Sequence, residues 1–279
     1  MEKLRLIKYP GSKYNYIDNL KSIFSNYQNI TTFVDLFGGS ASISLNVEYD
    51  KMIYNDIDKN IILIINSFIN TEYDDLQEIY DYIENNYKHI NAKNDIAKNE
   101  YYECRNYFNL LYFNSNKNML GLFYFVISAA SINSMFRTGP NGFNQGYGYN
   151  KIRIIDKTEF YQLKQKLTSL LIYNQNYSNV IETYKNTENA LWFLDPPYTT
   201  ENINSKTYKH NQFNYNDFIE NISKIKGNIV YTDYFSENKF KKLNELRKFE
   251  YTILRKMRNL APAKMSQDYE LYECIYYTN

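Results

Sequence analysis

The chain is poor in cysteine, proline and tryptophan, with 2, 5 and 1 among its 279 residues. Cys104 and Cys274 stand far apart, so no disulfide framework and no zinc-ligand spacing exists. A reducing, cytoplasmic setting is the expectation. An excess of one charge is also lacking. Lys and Arg number 32 against 31 Asp and Glu, a net +1. That balance excludes a histone-like electrostatic binder. The start, MEKLRLIKYPGSK, has no apolar h-region, and no signal peptide is expected. Long hydrophobic runs are absent too. The longest uncharged stretch, Asn118 to Phe136, carries Ser128, Ser131, Asn133 and Ser134. It reads as a buried helix rather than a membrane span.

What is present points to a globular α/β protein. The length suits one large domain, or one carrying an insertion. Tyrosine is abundant, at 31 residues. Charge is unevenly spread. Residues 71–103 hold nine acids against three lysines, and residues 239–264 hold nine bases against two acids. The second run is a candidate polyanion-facing surface.

Apolar, β-branched runs predict strands at 32–36, 51–54, 170–174, 191–194, 229–232, 251–255 and 271–277. Asp58 is placed to cap a helix over 59–69. The run ASISLNV after Gly38-Gly39 predicts a further helix, with its N-terminus aimed at a ligand. Helical periodicity fills 73–90, 97–113 and 157–170. Strand–helix alternation lapses between residues 71 and 150, which end in the Gly- and Asn-rich TGPNGFNQGYGYN. We therefore divide the chain into a catalytic domain, 1–70 and 151–279, and an inserted, mainly helical subdomain, 71–150.

Three constellations carry chemistry. The first is Asp35-Leu36-Phe37-Gly38-Gly39-Ser40, directly after a strand. Its glycines lack Cβ atoms, so the backbone can turn sharply and approach a ligand. The second is Asp56, at the end of the next strand. A carboxylate there can accept both hydroxyls of a ribose. The turn is not GxGxxG, so a pyrophosphate is not favoured. The third, and the most specific, is Asp195-Pro196-Pro197-Tyr198 after the apolar strand Leu191 to Leu194. Two prolines stiffen the turn. The Asp195 carboxylate and the Pro196 carbonyl form a pair of acceptors suited to an exocyclic amine. Tyr198 offers a flat face for a base. Thr232-Asp233 ends another strand near this cleft, with no role assigned.

In family order, these segments resemble the Dam-type DNA adenine-N6 methyltransferases. Lys8-Tyr9-Pro10-Gly11-Ser12-Lys13 is similar to their N-terminal motif. FVDLFGGSASISLN is similar to their cofactor loop, YNDIDKNII to their ribose segment and LDPPY to their catalytic tetrapeptide. The resemblance implies a Rossmann-like sheet with an inserted target-recognition subdomain. It implies S-adenosylmethionine as methyl donor, with no metal. Tyr9 and Lys13 would line the cofactor pocket. Asp35, Phe37 and Gly38 would surround it, and Gly39, Ser40 and Ile57 lie in the same matching segments. Asp56 would hold the ribose. Asn176 and Tyr177 stand where relatives carry a cofactor-contacting His-Phe-like pair; the aromatic is kept and the His is not.

The same resemblance implies double-stranded DNA as partner and a flipped-out adenine as target. Ile132, Asn133, Met135, Arg137 and Asn144 match the recognition segment, with Arg137 in place of a guanine-reading arginine. Relatives carry an aromatic at Ile132 and a Pro at Gly146. Lys8, Arg255 and Arg258 are further DNA candidates. GATC is the family's common target. A monomer and a cognate restriction enzyme are expected. A methyltransferase of RNA or of cytosine N4, and a catalytically silent DNA-binding protein, remain as alternatives.

Overall fold

The computed structural model describes residues 3–112, 117–198, 213–257 and 271–279. In chain order the main elements are α1 (Ile17–Phe24), β1 (Thr32–Asp35), β2 (Lys51–Asn55), α2 (Lys59–Asn70), α3 (Tyr73–Asn86), α4 (Asp95–Tyr112) and α5 (Lys117–Ala129). The hairpin strands β3 (Thr138–Gly139) and β4 (Gly142–Phe143) follow, then α6 (Lys157–Thr168), β5 (Leu170–Tyr173), α7 (Tyr177–Tyr184) and β6 (Ala190–Leu194). Last come α8 (Tyr215–Ser223), β7 (Asn228–Tyr234), α9 (Glu237–Leu246), β8 (Phe249–Met257) and β9 (Leu271–Thr278).

The elements gather into two compact units. A helical unit takes residues up to Ile17, Gly39–Val47 and Asp58–Leu170; a sheet unit takes Asp18–Gly38, Glu48–Ile57 and Leu171 onward.

The sheet unit is built on seven strands in the order β5-β2-β1-β6-β7-β9-β8. β1 pairs parallel with β2 and β6, and β6 with β7, while β9 is antiparallel to β7 and β8. The alternation predicts an α/β sheet, and this mainly parallel one is the Rossmann-like sheet that the resemblance implies. Every residue of β1 and β6 is buried, as suits parallel strands covered on both faces. Trp192, Val34, Leu194, Phe218 and Tyr231 stand at the centre of the core.

The helical unit packs α2 against α5 and α6, and α5 against α3 and α4. Phe68 joins three of these helices, edge-on to Phe125 at 5.0 Å and stacked on Phe160 at 5.2 Å. The uncharged stretch is the buried α5, as its composition predicts. No helix among the described residues is long and apolar enough to cross a membrane.

The helix expected after the glycine pair is not formed. Residues 42–46 are successive turns, and Ala41 takes a positive φ of 57°. In an α-helix the Ser42 carbonyl would accept from the Asn46 backbone amide. Here the Asn46 side chain takes that carbonyl at 2.8 Å, while its amide turns to Ile43 at 2.9 Å. The serine hydroxyls instead bond one another. Ser42 bonds Ser12 and Ser40, each at 2.7 Å. No helix N-terminus therefore faces a ligand at this turn.

Candidate functional site

In open α/β sheets, ligands bind outside the carboxyl ends of strands, where the strand order reverses. Here the order reverses between β1 and β6, with β2 on the far side of β1. The carboxyl ends of these three strands carry Asp35, Asn55-Asp56 and Asp195. The sheet unit thus brings together the acids of all three sequence constellations.

Asn55 stitches this edge. Its side chain donates to the Leu36 carbonyl at 3.0 Å and accepts from the Gln175 amide at 3.1 Å. Its own carbonyl accepts from Gly38 at 2.8 Å. One buried side chain thereby ties the loops after β1, β2 and β5. Gly38 is required for a second reason. A Cβ there would lie 2.0 Å from the Tyr54 ring, so no side chain fits. Asp35 is 1% exposed. Asp56 is half-buried, and beside it Ile57 is 72% exposed. Phe37 packs on Tyr177 at 5.3 Å, and Phe213 and Phe218 complete the cluster. Asn176 caps α7, accepting from the Ser178 amide at 3.0 Å.

After β6 the chain enters Asp195 to Tyr198. The Thr232 hydroxyl donates to Asp195 Oδ1 at 2.6 Å, from the neighbouring strand β7. Tyr198 donates to Glu273 Oε1 at 2.9 Å and meets the Tyr234 ring edge-on at 4.9 Å. Burial, with Asp195 and Glu273 close by, pushes the Tyr198 phenol well above its ordinary pKa. It stays protonated and acts as a donor. Glu273 also accepts from Arg255 Nε at 2.8 Å. Sequence reasoning gave Thr232 no role and missed Glu273 and Asn55. A lone acid in the apolar, aromatic strand LYECIYYT was the available signal for Glu273, because a buried carboxylate needs partners.

Next along β7, buried Asp233 pairs with buried Lys239 at 2.6 Å and also accepts from the Tyr231 hydroxyl. Arg247 donates to the carbonyls of Ile225 and Gly227. The basic run from 239 is therefore partly internal. Lys239 is thereby taken out of the candidate phosphate-facing surface. Arg255 serves Glu273, and Arg258 lies outside the described residues.

The helical unit collects a second set. Tyr9 lies against Gly39, and its ring stacks on Phe136 at 6.1 Å. Lys13 is buried, with Nζ on the Gly11 carbonyl at 2.8 Å. Ser40 joins Ser12 at 3.1 Å. Ile132 is 45% exposed, and Asn133 and Ser134 both hold positive φ. Arg137 and Asn144 are exposed and flank the β3–β4 hairpin, linked by the Asn144 amide and the Arg137 carbonyl at 2.9 Å. Asn109 of α4 pins this hairpin through both the amide and the carbonyl of Phe143, at 2.8 and 2.9 Å. Gly146 accepts from the Ile132 amide at 2.9 Å, and a Cβ on Gly146 would sit 3.2 Å from Ile132 Cδ1.

Among the described residues no group of three or more His, Cys, Asp or Glu is placed for a metal. The sheet edge does fit an adenosine-containing, cationic ligand. Asp56 suits ribose hydroxyls, Ile57 and Phe37 suit an adenine face, and buried Asp35 suits an ammonium.

A family model, the D12 class N6 adenine-specific DNA methyltransferase, matches residues 9–227. The modification methylase StsI of Streptococcus sanguinis is 27% identical over 238 residues, covering 83% of this chain and 33% of that protein. The type II methyltransferase M.FokI of Planomicrobium okeanokoites is 25% identical over 201 residues, covering 69% of this chain and 28% of that protein. The chain thus matches about a third of the length of these relatives.

Proposed function

Since the chain belongs to the D12 class N6 adenine-specific DNA methyltransferase family, we propose that it methylates N6 of an adenine flipped out of duplex DNA. The observation that carries the proposal is the Asp195 carboxylate, fixed by Thr232 where the strand order reverses, beside Tyr198. The adenine amine is a poor nucleophile, because its lone pair is delocalised into the ring. Hydrogen bonds from the amine to Asp195 and to the Pro196 carbonyl favour a pyramidal nitrogen and aim that lone pair. Pro197 stiffens the turn that presents both acceptors. Tyr198 stacks on the flipped base and offsets part of the few kcal/mol that flipping costs.

S-adenosylmethionine, when bound, supplies an electrophilic methyl group on a sulfonium. Asp35, Phe37, Gly38, Asp56 and Ile57 are its proposed contacts on the sheet unit. Tyr9, Lys13, Gly39 and Ser40 are proposed from the motif resemblance. The methyl would pass to N6 by direct displacement, its bond to sulfur breaking to leave S-adenosylhomocysteine, and the residues act by positioning and by preset acceptors. The amine becomes acidic as it is methylated, and its proton leaves to Asp195 or water.

Target reading is assigned to 71–150, with Arg137 on guanine, Ile132 as a wedge in the stack and Asn133, Met135 and Asn144 alongside. GATC is the proposed target, and a restriction–modification setting with a cognate restriction enzyme the proposed role. A monomer acting in the cytoplasm fits this reading.

Expression in a methylation-free bacterial host, followed by mapping of modified bases, tests the proposal. N6-methyladenine at one short motif, absent with Asp195→Ala, is the expected result. N4-methylcytosine, or no modification by a folded protein that binds S-adenosylmethionine, overturns it.

A further inference from the structure

Near-neutral overall, the chain concentrates positive charge in one place on the helical unit. A cleft of about 440 Å³ is lined by Lys3, Arg5, Lys8, Lys151 and Arg153, with Glu159 as its one carboxylate. Five cations against one acid leave a surplus of four charges. In the sequence these cations fall in two short groups separated by more than half the chain. Neither group forms a basic run.

Glu159 does not neutralise the cleft, because Arg153 engages it. Arg153 also donates to the carbonyls of Arg5 and Leu6. Its fork thereby fixes the N-terminal segment that carries Lys3, Arg5 and Lys8. Arg5 and Arg153 repel each other, and burial with that repulsion holds the Arg5 guanidinium below its ordinary pKa. The Arg5 Nε is buried with no hydrogen-bond partner among the described residues. A crowded pair of guanidiniums is an arrangement that a nearby anion relieves.

The lining also says what kind of anion fits. Phe125 is fully buried, and the Arg5 guanidinium lies over the Tyr14 ring, 4.8 Å from its centroid. The walls offer charge rather than a platform for stacking a base. Lys8 and Lys151 are exposed at the cleft, free of any burial that would hold them to one geometry. Ser134 lines the same cleft and sits between Asn133 and Met135 of the recognition segment. The cleft therefore borders the chain segment assigned to target reading through Ser134.

We propose that this cleft seats the phosphodiester backbone of the bound duplex, with Lys3, Arg5, Lys8 and Lys151 contacting phosphates next to the recognition segment. The inference rests on the DNA-methylating reading above and goes beyond it. Such contacts set register and orientation without reading sequence. They add to the candidate phosphate contacts of the 239–264 run, of which Lys239 is buried against Asp233.

The test is duplex binding by fluorescence anisotropy across a salt series. Each neutralised phosphate adds about 0.9 to the magnitude of the log Kobs against log [salt] slope. Lys3→Gln with Lys151→Gln is expected to lower that slope by about 2, equally for duplexes with and without the target motif. S-adenosylmethionine affinity should match the parent, which reports that the fold is intact. Lys88→Gln, which removes an exposed charge outside the cleft, should leave the slope unchanged. An unchanged slope in the double variant, while the parent binds duplex, overturns the cleft and leaves the methylation reading standing. Failure of the parent to bind duplex at any salt overturns both. Inorganic phosphate is the second probe. If it raises the melting temperature of the parent but not of the double variant, with the slope unchanged, the cleft is a small-anion site and the proposal fails.

Discussion

The Thr232 hydroxyl reaches Asp195 at 2.6 Å, so one carboxylate oxygen is oriented before any substrate arrives. A hydrogen bond to a charged group contributes about 1.5–3 kcal/mol. Thr232→Val keeps the shape and removes the donor. Its kcat should fall about 10- to 100-fold with S-adenosylmethionine affinity unchanged, as read by single-turnover methylation and calorimetry. Tyr198 separates two roles. Tyr198→Phe keeps the ring and loses the bond to Glu273, and a loss of less than about tenfold in kcat/KM is expected. Tyr198→Ala removes a stacking face worth about 1–3 kcal/mol and should cost about 10- to 100-fold. Equal losses in the two variants would place the weight on the hydroxyl instead. The cysteines give a third prediction. Both are fully buried, and burial pushes the Cys274 thiol up to about 12. At pH 8 the folded protein should resist iodoacetamide. Unfolding returns both thiols to about 8.5, and both should then react, as mass spectrometry would show. Asp195 and Tyr198 were legible in the sequence because the prolines between them mark the turn. Thr232 and Glu273 were not, because strand pairing, rather than chain proximity, brings them to that turn.

Among the elements, the central strands were legible because β1 and β6 are buried on both faces and so read as continuous apolar runs. The segment after Gly39 misled for a physical reason. Its apolar spacing is helical, but Ser40, Ser42 and Asn46 satisfy backbone and one another sideways. Side-chain capture of a backbone carbonyl is invisible to periodicity. The charged stretch from 239 is likewise not all surface, because α9 turns Lys239 inward onto Asp233. Removing one partner of a buried pair typically costs about 3–5 kcal/mol. Lys239→Met should lose stability in that range by urea denaturation, because Asp233 stays buried among Tyr231 and Tyr234. Lys239→Met with Asp233→Leu should recover much of it.

For the whole molecule, ligand linkage gives the broadest check. A ligand that binds only the folded state at a hundredfold excess over Kd stabilises it by about 2.7 kcal/mol. S-adenosylmethionine should therefore raise the melting temperature by several degrees, and Asp56→Ala should shrink that rise. Charge distribution was the least legible property at this scale, since a cleft gathers cations from distant positions while a basic run hides some of its own. The single tryptophan has a different consequence. Trp192 is fully buried in β6, paired with Val34 on one side and Ile229 on the other. β1 finds β2 after a short connection, but it meets β6 only once the chain has closed a very long loop. Long-range pairings of that kind form slowly. The emission of Trp192 is thus a built-in clock for the sheet's central seam. During refolding, its change should coincide with the return of methyl transfer and lag behind the helical signal in far-ultraviolet circular dichroism.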